Sequence, residues 1–231
     1  MGLIAPNVTA DPVIDGTVKS EEYSFSISGV GDSFADFFGR SSHLHLHKNE
    51  KLLFVALESG GNNQDPNAGV LYLDVREGGP STTSEIENIS GNNDQTYIAG
   101  NVRDSTRAAD LEFAPGFNPD YALLFEFTGS TRLYPIIHDD GIYKVGKAES
   151  IELLASDDIL YVRELAIPLD VLGNPEEIKL LGTVISNTAW RSNEFFGVFD
   201  WNIPDGSIGR AAFSLESGDY ETFSLSISEP D

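Results

Sequence analysis

The sequence predicts an all-β protein, an antiparallel β-sandwich of jelly-roll type with very little helix. Three observations carry this expectation. Apolar residues recur with a period of two or in short runs of strand length; clusters of Gly, Pro, Asn and Asp separate those runs; and no segment sustains a 3.6-residue apolar period over a helix length. About ten strands at this spacing, without intervening helices, exclude a parallel α/β sheet and point to a sandwich.

The first strand signal is Tyr23 to Ser28, whose strict alternation puts Tyr23, Phe25 and Ile27 on one face. Leu52 to Leu57 is a short apolar run of buried-strand type. Val70 to Val75, Tyr121 to Phe127, Leu133 to Ile137, Ile151 to Leu154, Ile159 to Ala166 and Ile178 to Ser186 continue the pattern, and Arg210 to Leu215 and Thr222 to Ile227 close it. Turn clusters fall at Gly60 to Gly69, Gly78-Gly79-Pro80, Gly91 to Asp94, Pro115 to Pro119 and Asp139-Asp140-Gly141. The best local helical candidates are Ser33 to Phe38 and a single turn after Pro168, where proline suits the first helical position. Gly79 to Gln95, the longest polar stretch, reads as an excursion between strands. With no repeat and no linker, residues 1–231 form one domain.

Charge narrows the choice of partners. Asp and Glu number 37 against 14 Lys and Arg, a net charge of −23, which repels nucleic-acid backbones and anionic membranes. The same surface favours calcium or a saline, extracellular setting. No cysteine is present, so disulfide and thiolate chemistry are excluded. No apolar run approaches the roughly 20 residues of a membrane span. Met1-Gly2 leads directly to polar Asn7 and Thr9, so an exported protein would have lost its leader.

Enzyme motifs are absent: there is no Gly-x-Ser-x-Gly, P-loop, His-Glu-x-x-His or Gly-x-Gly-x-x-Gly. Glu126, Glu152 and Glu164 lie on expected strands, where two carboxylates about 5 to 9 Å apart would suffice for glycoside hydrolysis. Chance proximity is the simpler explanation in so acidic a chain. His43, His45 and His47 alternate with Leu44 and Leu46, so a strand here shows three imidazoles on one face and two leucines on the other. Alternate residues lie roughly 6.5 to 7 Å apart, which lets neighbouring pairs share a transition metal or leaves a plain polar face. Asn63, Asp65 and Asn67, with Asp74 beyond, have the alternating oxygen ligands of a calcium loop, although Ala68 stands where an EF-hand needs glycine.

Both tryptophans lie in the last third. Trp190 with Arg191 and Asn193, and Trp201 with Asp200, combine an aromatic face with charged and amide groups, the kit for holding a sugar. Trp190 has the more polar surroundings, whereas Trp201 follows the apolar run from Phe195 to Phe199 and is the better core candidate.

Three segments together carry a resemblance. Pro12-Val13-Ile14-Asp15-Gly16-Thr17-Val18 precedes Glu22-Tyr23; Leu53-Phe54-Val55-Ala56 precedes Gly69-Val70-Leu71-Tyr72-Leu73-Asp74; and Arg163-Glu164-Leu165-Ala166-Ile167-Pro168-Leu169 precedes Leu172-Gly173. Their order and spacing are similar to the superfamily of family 9 carbohydrate-binding modules and DOMON-like β-sandwich domains, across nearly the whole chain. The resemblance implies a non-catalytic, calcium-stabilised module of a secreted or cell-surface protein that binds a polysaccharide or glycan. One departure is that Tyr23 stands where tryptophan is commoner. Two rival expectations remain: a structural or adhesive surface protein that self-associates, and a polysaccharide-acting enzyme.

Overall fold

A strand that is apolar on both faces needs cover on both faces, and the long apolar runs of this chain therefore demand more than two stacked sheets. A computed structural model describes residues 10–33, 36–61, 67–126, 130–149, 151, 153–157, 162–199 and 202–225. One sheet has five strands in the order β1 (Phe25–Ser28), β2 (His43–Lys48), β3 (Leu52–Glu58), β11 (Val162–Pro168) and β10 (Leu153–Asp157). The other has the order β13 (Arg191–Phe196), β12 (Glu177–Ser186), β4 (Asn67–Asp74), β7 (Tyr121–Glu126), β8 (Thr131–Asp139), β9 (Ile142–Val145) and β5 (Ile86–Glu87), with β15 (Glu221–Ser224) also paired to β12. Both sheets are antiparallel except that β5 runs parallel to β9; β6 (Leu111–Glu112) and β14 (Phe213–Ser214) form a small parallel pair. Strands take up 43% of the chain and helix 7%, so the expected sandwich with very little helix is what the protein forms.

The main core lies between the sheets. Leu44, Leu46, Val55, Leu57, Leu165 and Ile167 of one sheet meet Leu71, Leu73, Leu123, Phe125, Leu180 and Val184 of the other. A second core covers the far side of the larger sheet, where Val70, Tyr72, Leu124 and Leu181 pack under Ile98, Phe113 and Phe117. A third covers the smaller sheet, where Phe54, Ala56 and Ala166 lie under Tyr23, Ile14 and Val18. Every residue of β4 is buried, which explains why Val70 to Leu73 lacks alternation.

The coverings come from loops. The excursion after β4 lays α1 (Asn93–Ala99) on the larger sheet. This helix was not among the expected ones, although its signals are in the sequence: the Asn92 side chain caps it by accepting from Gln95 N at 2.8 Å, and Gly100 ends it with φ 67°. Of the Ser33 to Phe38 candidate, the described residues form turn and bend; the segment after Pro168 makes the single turn. Tyr23 also departs from expectation. Phe25 and Ile27 pack on the central core, while Tyr23 sits before β1 begins and points into the outer one, so the period of two does not extend to it.

Buried carboxylates hold these loops down. Glu164, fully buried on β11, accepts from the Asp15 and Gly16 amides at 3.1 and 2.7 Å and from the Tyr23 hydroxyl at 2.8 Å. Glu194 on β13 accepts from Asp36 N and Phe38 N, both at 3.1 Å, and so seats the Phe38 ring against Gly69, where no side chain would fit. Asp120 takes the Val75 and Arg76 amides, and Asp219 those of Phe199 and Glu216. Charge-assisted bonds of this kind contribute about 1.5 to 3 kcal/mol each where their loss strands a buried donor. Glu164→Gln puts an NH2 group opposite either the two amides or the Tyr23 hydroxyl and is expected to cost about 2 to 3 kcal/mol in urea unfolding; a loss under about 0.5 kcal/mol would contradict this role for Glu164.

Candidate functional site

The β12–β13 hairpin presents an exposed tryptophan. Ala189 in its turn takes a left-handed conformation (φ 53°), fixed by its amide on Ser186 O at 3.0 Å. Trp190 follows, and its amide donates to Ser186 Oγ at 3.1 Å. Its indole is 41% exposed but not loose. Nε1–H donates to Ser207 Oγ at 2.6 Å, and the Ser207 hydroxyl donates in turn to Arg191 O at 2.8 Å. The Arg210 guanidinium stands 5.2 Å from the ring centroid, and its Nε–H reaches Thr188 O at 3.3 Å. Gly209 lies against the ring edge, where an added Cβ would come within 3.4 Å of Cζ2. The result is a fixed aromatic surface with a cation beside it. Such a surface can stack on the CH face of a sugar while the guanidinium donates to hydroxyls.

The polar residues after Trp190 do something else. Arg191, Asn193 and their neighbours on β13 are all buried. Arg191 is fully enclosed and donates to Ala109 O at 2.8 Å from Nη2 and to Thr183 Oγ1 at 3.1 Å from Nη1. Burial pushes its pKa down and pushes that of nearby Tyr72 up to about 12. Asn193 accepts from the Asp32 and Ser33 amides at 3.1 and 3.0 Å and donates to Pro204 O at 3.2 Å. The expectation that Arg191 and Asn193 contact a ligand is therefore corrected: their polar groups are consumed inside the protein, tying loops to the sheet. Asp200 and Trp201 lie outside the described residues, between segments that the buried Asp219 holds through Phe199 N and Asn202 Nδ2.

The calcium set does not come together. Asn63 and Asp65 lie outside the described residues. Asn67 and Asp74 are the first and last residues of β4, roughly 23 Å apart, whereas oxygens sharing one ion lie within about 5 Å of each other. Asp74 instead accepts from Asn118 N at 3.1 Å and faces Lys179 at 3.5 Å, so it belongs to no site with Asn67.

The three histidines do share one face of β2, with Leu44 and Leu46 in the central core. The middle of that face is covered by Tyr23, so His45 is buried, while His43 and His47 on either side are half-buried. His45 is 3% exposed; its Nε2 meets Glu58 Oε2 at 2.7 Å, and its ring lies 6.1 Å from that of His43 and 5.6 Å from that of Tyr23. His43 Nδ1 faces Ser28 Oγ, and His47 faces Asp11 at 3.8 Å. Among the described residues no three His, Asp or Glu side chains are grouped to hold a metal.

Of the strand carboxylates, Glu164 is the loop anchor described above and Glu152 lies outside the described residues. Glu126 faces a partner that the sequence did not signal: Arg132 Nη1 stands 2.7 Å from Asp94 and 3.6 Å from Glu126, and the Tyr134 hydroxyl donates to Asp94. Burial first, and the Asp94 charge second, push the Glu126 pKa up. This cluster joins α1 to β7 and β8. Ser207, Gly209 and Arg210 were missed as well, because nothing in the local pattern signals that the chain returns to Trp190 some 17 residues later.

No family model, curated protein or solved structure matches this chain. The segments around Asp15 and Glu164 meet in the fold, where Glu164 binds the Asp15-Gly16 turn. No helix among the described residues is long and apolar enough to cross a membrane.

Burial lowers the His45 pKa in spite of Glu58, which pulls the other way. The unfolded ring thus takes up its proton at higher pH than the folded one. The stability contributed by the neutral ring is complete above about pH 6.5 and is lost as the pH falls through the lower, folded value. Thermal unfolding of His45→Gln is expected to depend less steeply on pH between 7 and 5 than that of the parent protein. Parallel curves would show that His45 does not titrate in this way.

Proposed function

We propose that this domain is a non-catalytic carbohydrate-binding module of a secreted or cell-surface protein, with the Trp190 indole as its sugar platform. One observation carries the reading: a large aromatic ring exposed at a hairpin end, with its Nε1–H and its orientation fixed by Ser207, Gly209 and Arg210. A ring ordered before binding loses little conformational entropy when a sugar stacks on it. The motif resemblance and the −23 charge support an extracellular glycan ligand and a stabilising calcium ion. With Asp74 removed from the ligand set, Asn63, Asp65 and Asn67 are the proposed ligands of that ion, and an equal melting temperature in EDTA and in millimolar calcium would count against it.

A specific observation favours a second reading, that of a self-associating surface protein. Ile137 and Ile142 on the β8–β9 hairpin and Ile89 beside β5 are each at least 42% exposed. Sedimentation at rising concentration separates the two, since a monomeric module does not assemble.

Trp190→Ala is expected to weaken binding on a glycan array by about 1 to 3 kcal/mol, the range of a lost aromatic anchor. The melting temperature should change little, because the ring is 41% exposed and lies outside the cores. A loss of about 3 to 5 kcal/mol in stability without selective loss of binding is the behaviour of a core residue and would remove the platform.

A further inference from the structure

Lys179 and Ser186 lie at opposite ends of β12, roughly 23 Å apart, so the end of the larger sheet away from Trp190 is a separate place. There a cleft of about 550 Å³ opens between the end of β4, the start of β12 and the 116–118 turn. That volume suits a small ligand. Its lining includes Arg76 and Lys179 together with Asp74, Glu77, Glu176 and Glu177.

Both cations are fixed from below by carboxylates that the fold has buried. Lys179 Nζ donates to Gly116 O at 2.8 Å, faces Asp74 at 3.5 Å and lies 5.7 Å from the Tyr220 ring centroid. Arg76 Nε donates to Asp120 Oδ1 at 2.9 Å, and its guanidinium stands 5.8 Å from the Tyr121 ring. Asp74 and Asp120 are 8% and 3% exposed. An ammonium has three N–H donors and a guanidinium five, so each retains donors beyond these contacts. Glu176 and Glu177 are exposed and supply acceptors.

The chemistry of this lining selects its occupant. Four carboxylates outnumber two cations, which disfavours an anion; Asp74, the buried carboxylate of the lining, is already paired with Lys179, so a metal ion or a polyamine would be left with the exposed glutamates alone; and charged walls offer little to an apolar molecule. A neutral ligand rich in hydroxyls uses both kinds of wall, because each hydroxyl donates to carboxylate and accepts from cation.

We propose that this cleft is a second binding site, for a single neutral sugar unit or the end of a neutral glycan chain. Lys179 and Arg76 donate to its hydroxyl oxygens, and its hydroxyls donate to Glu176 and Glu177. The site is independent of the Trp190 platform.

Amide chemical shifts of the full chain, titrated with glucose, galactose, mannose, xylose and cellobiose, test this, with sodium sulfate and calcium chloride as separate arms. Saturable shifts at Arg76, Gly78, Asn118 and Lys179 with at least one sugar are expected. Lys179→Met and the double change Glu176→Gln/Glu177→Gln should each weaken them about tenfold or more, the size of a lost charged hydrogen bond. The two glutamates are exposed, so that variant folds even where Lys179→Met does not. Trp190→Ala should leave these shifts intact; if it abolishes binding elsewhere while the cleft still fills, both sites stand. Shifts there with sulfate or calcium and none of the sugars, sugar shifts confined to the Trp190 end, or no shifts at all would overturn the proposal.

Discussion

The carboxylate that accepts backbone amides is the interaction on which the rest of this molecule depends. Two stacked sheets with apolar residues on both faces leave two outer surfaces to cover, and irregular loops must do it. A buried loop amide without an acceptor costs about 1 to 3 kcal/mol, and a loop exposes several at once. Glu164, Glu194 and Asp120 each take two backbone amides from one segment, and Asp219 takes one from each of two. With 37 acidic and 14 basic residues, the chain has far too few cations to pair its carboxylates, and amide dipoles take over part of that task.

The same device sets the functional surfaces. Trp190 presents its ring outward because everything after it on β13 faces inward: Arg191 toward Ala109 and Thr183, Asn193 toward Ser33 and Pro204, Glu194 toward Phe38. The strand thus acts as a rigid base for an aromatic ring whose immediate neighbours in space come from residues 207–210. At the other end of β12, Asp74 and Asp120 set the positions of Lys179 and Arg76. In both places a ligand would meet groups ordered before it arrives.

Much of the fold was legible because apolar spacing reports burial directly. The runs at Leu52 to Leu57, Val70 to Val75 and Ile178 to Ser186 became β3, β4 and β12. The polar run Arg191 to Glu194 was misread because type and burial usually agree, and here a whole polar strand is buried with its partners supplied from distant loops. Tyr23 was assigned to the wrong face since alternation holds only inside a strand, and β1 starts at Phe25. Helix α1 is a single seven-residue element whose evidence lies in its caps, Asn92 and Gly100, and not in a period. Of the expected site, Trp190 alone kept its exposed role among the described residues, while the pairing of Asp94 with Glu126 depends on a contact that sequence separation hides.

Native-state hydrogen exchange tests the carboxylate anchors most directly. Gly16, Phe38, Arg76 and Phe199 lie outside regular strands, yet their amides are each bonded to a buried carboxylate. If the anchors hold the coverings as described, these amides exchange as slowly as those in the centre of β4, through the same global opening. Exchange at the rate of free loops, with β4 still protected, would mean that the coverings open on their own and that the carboxylates do not hold the structure together.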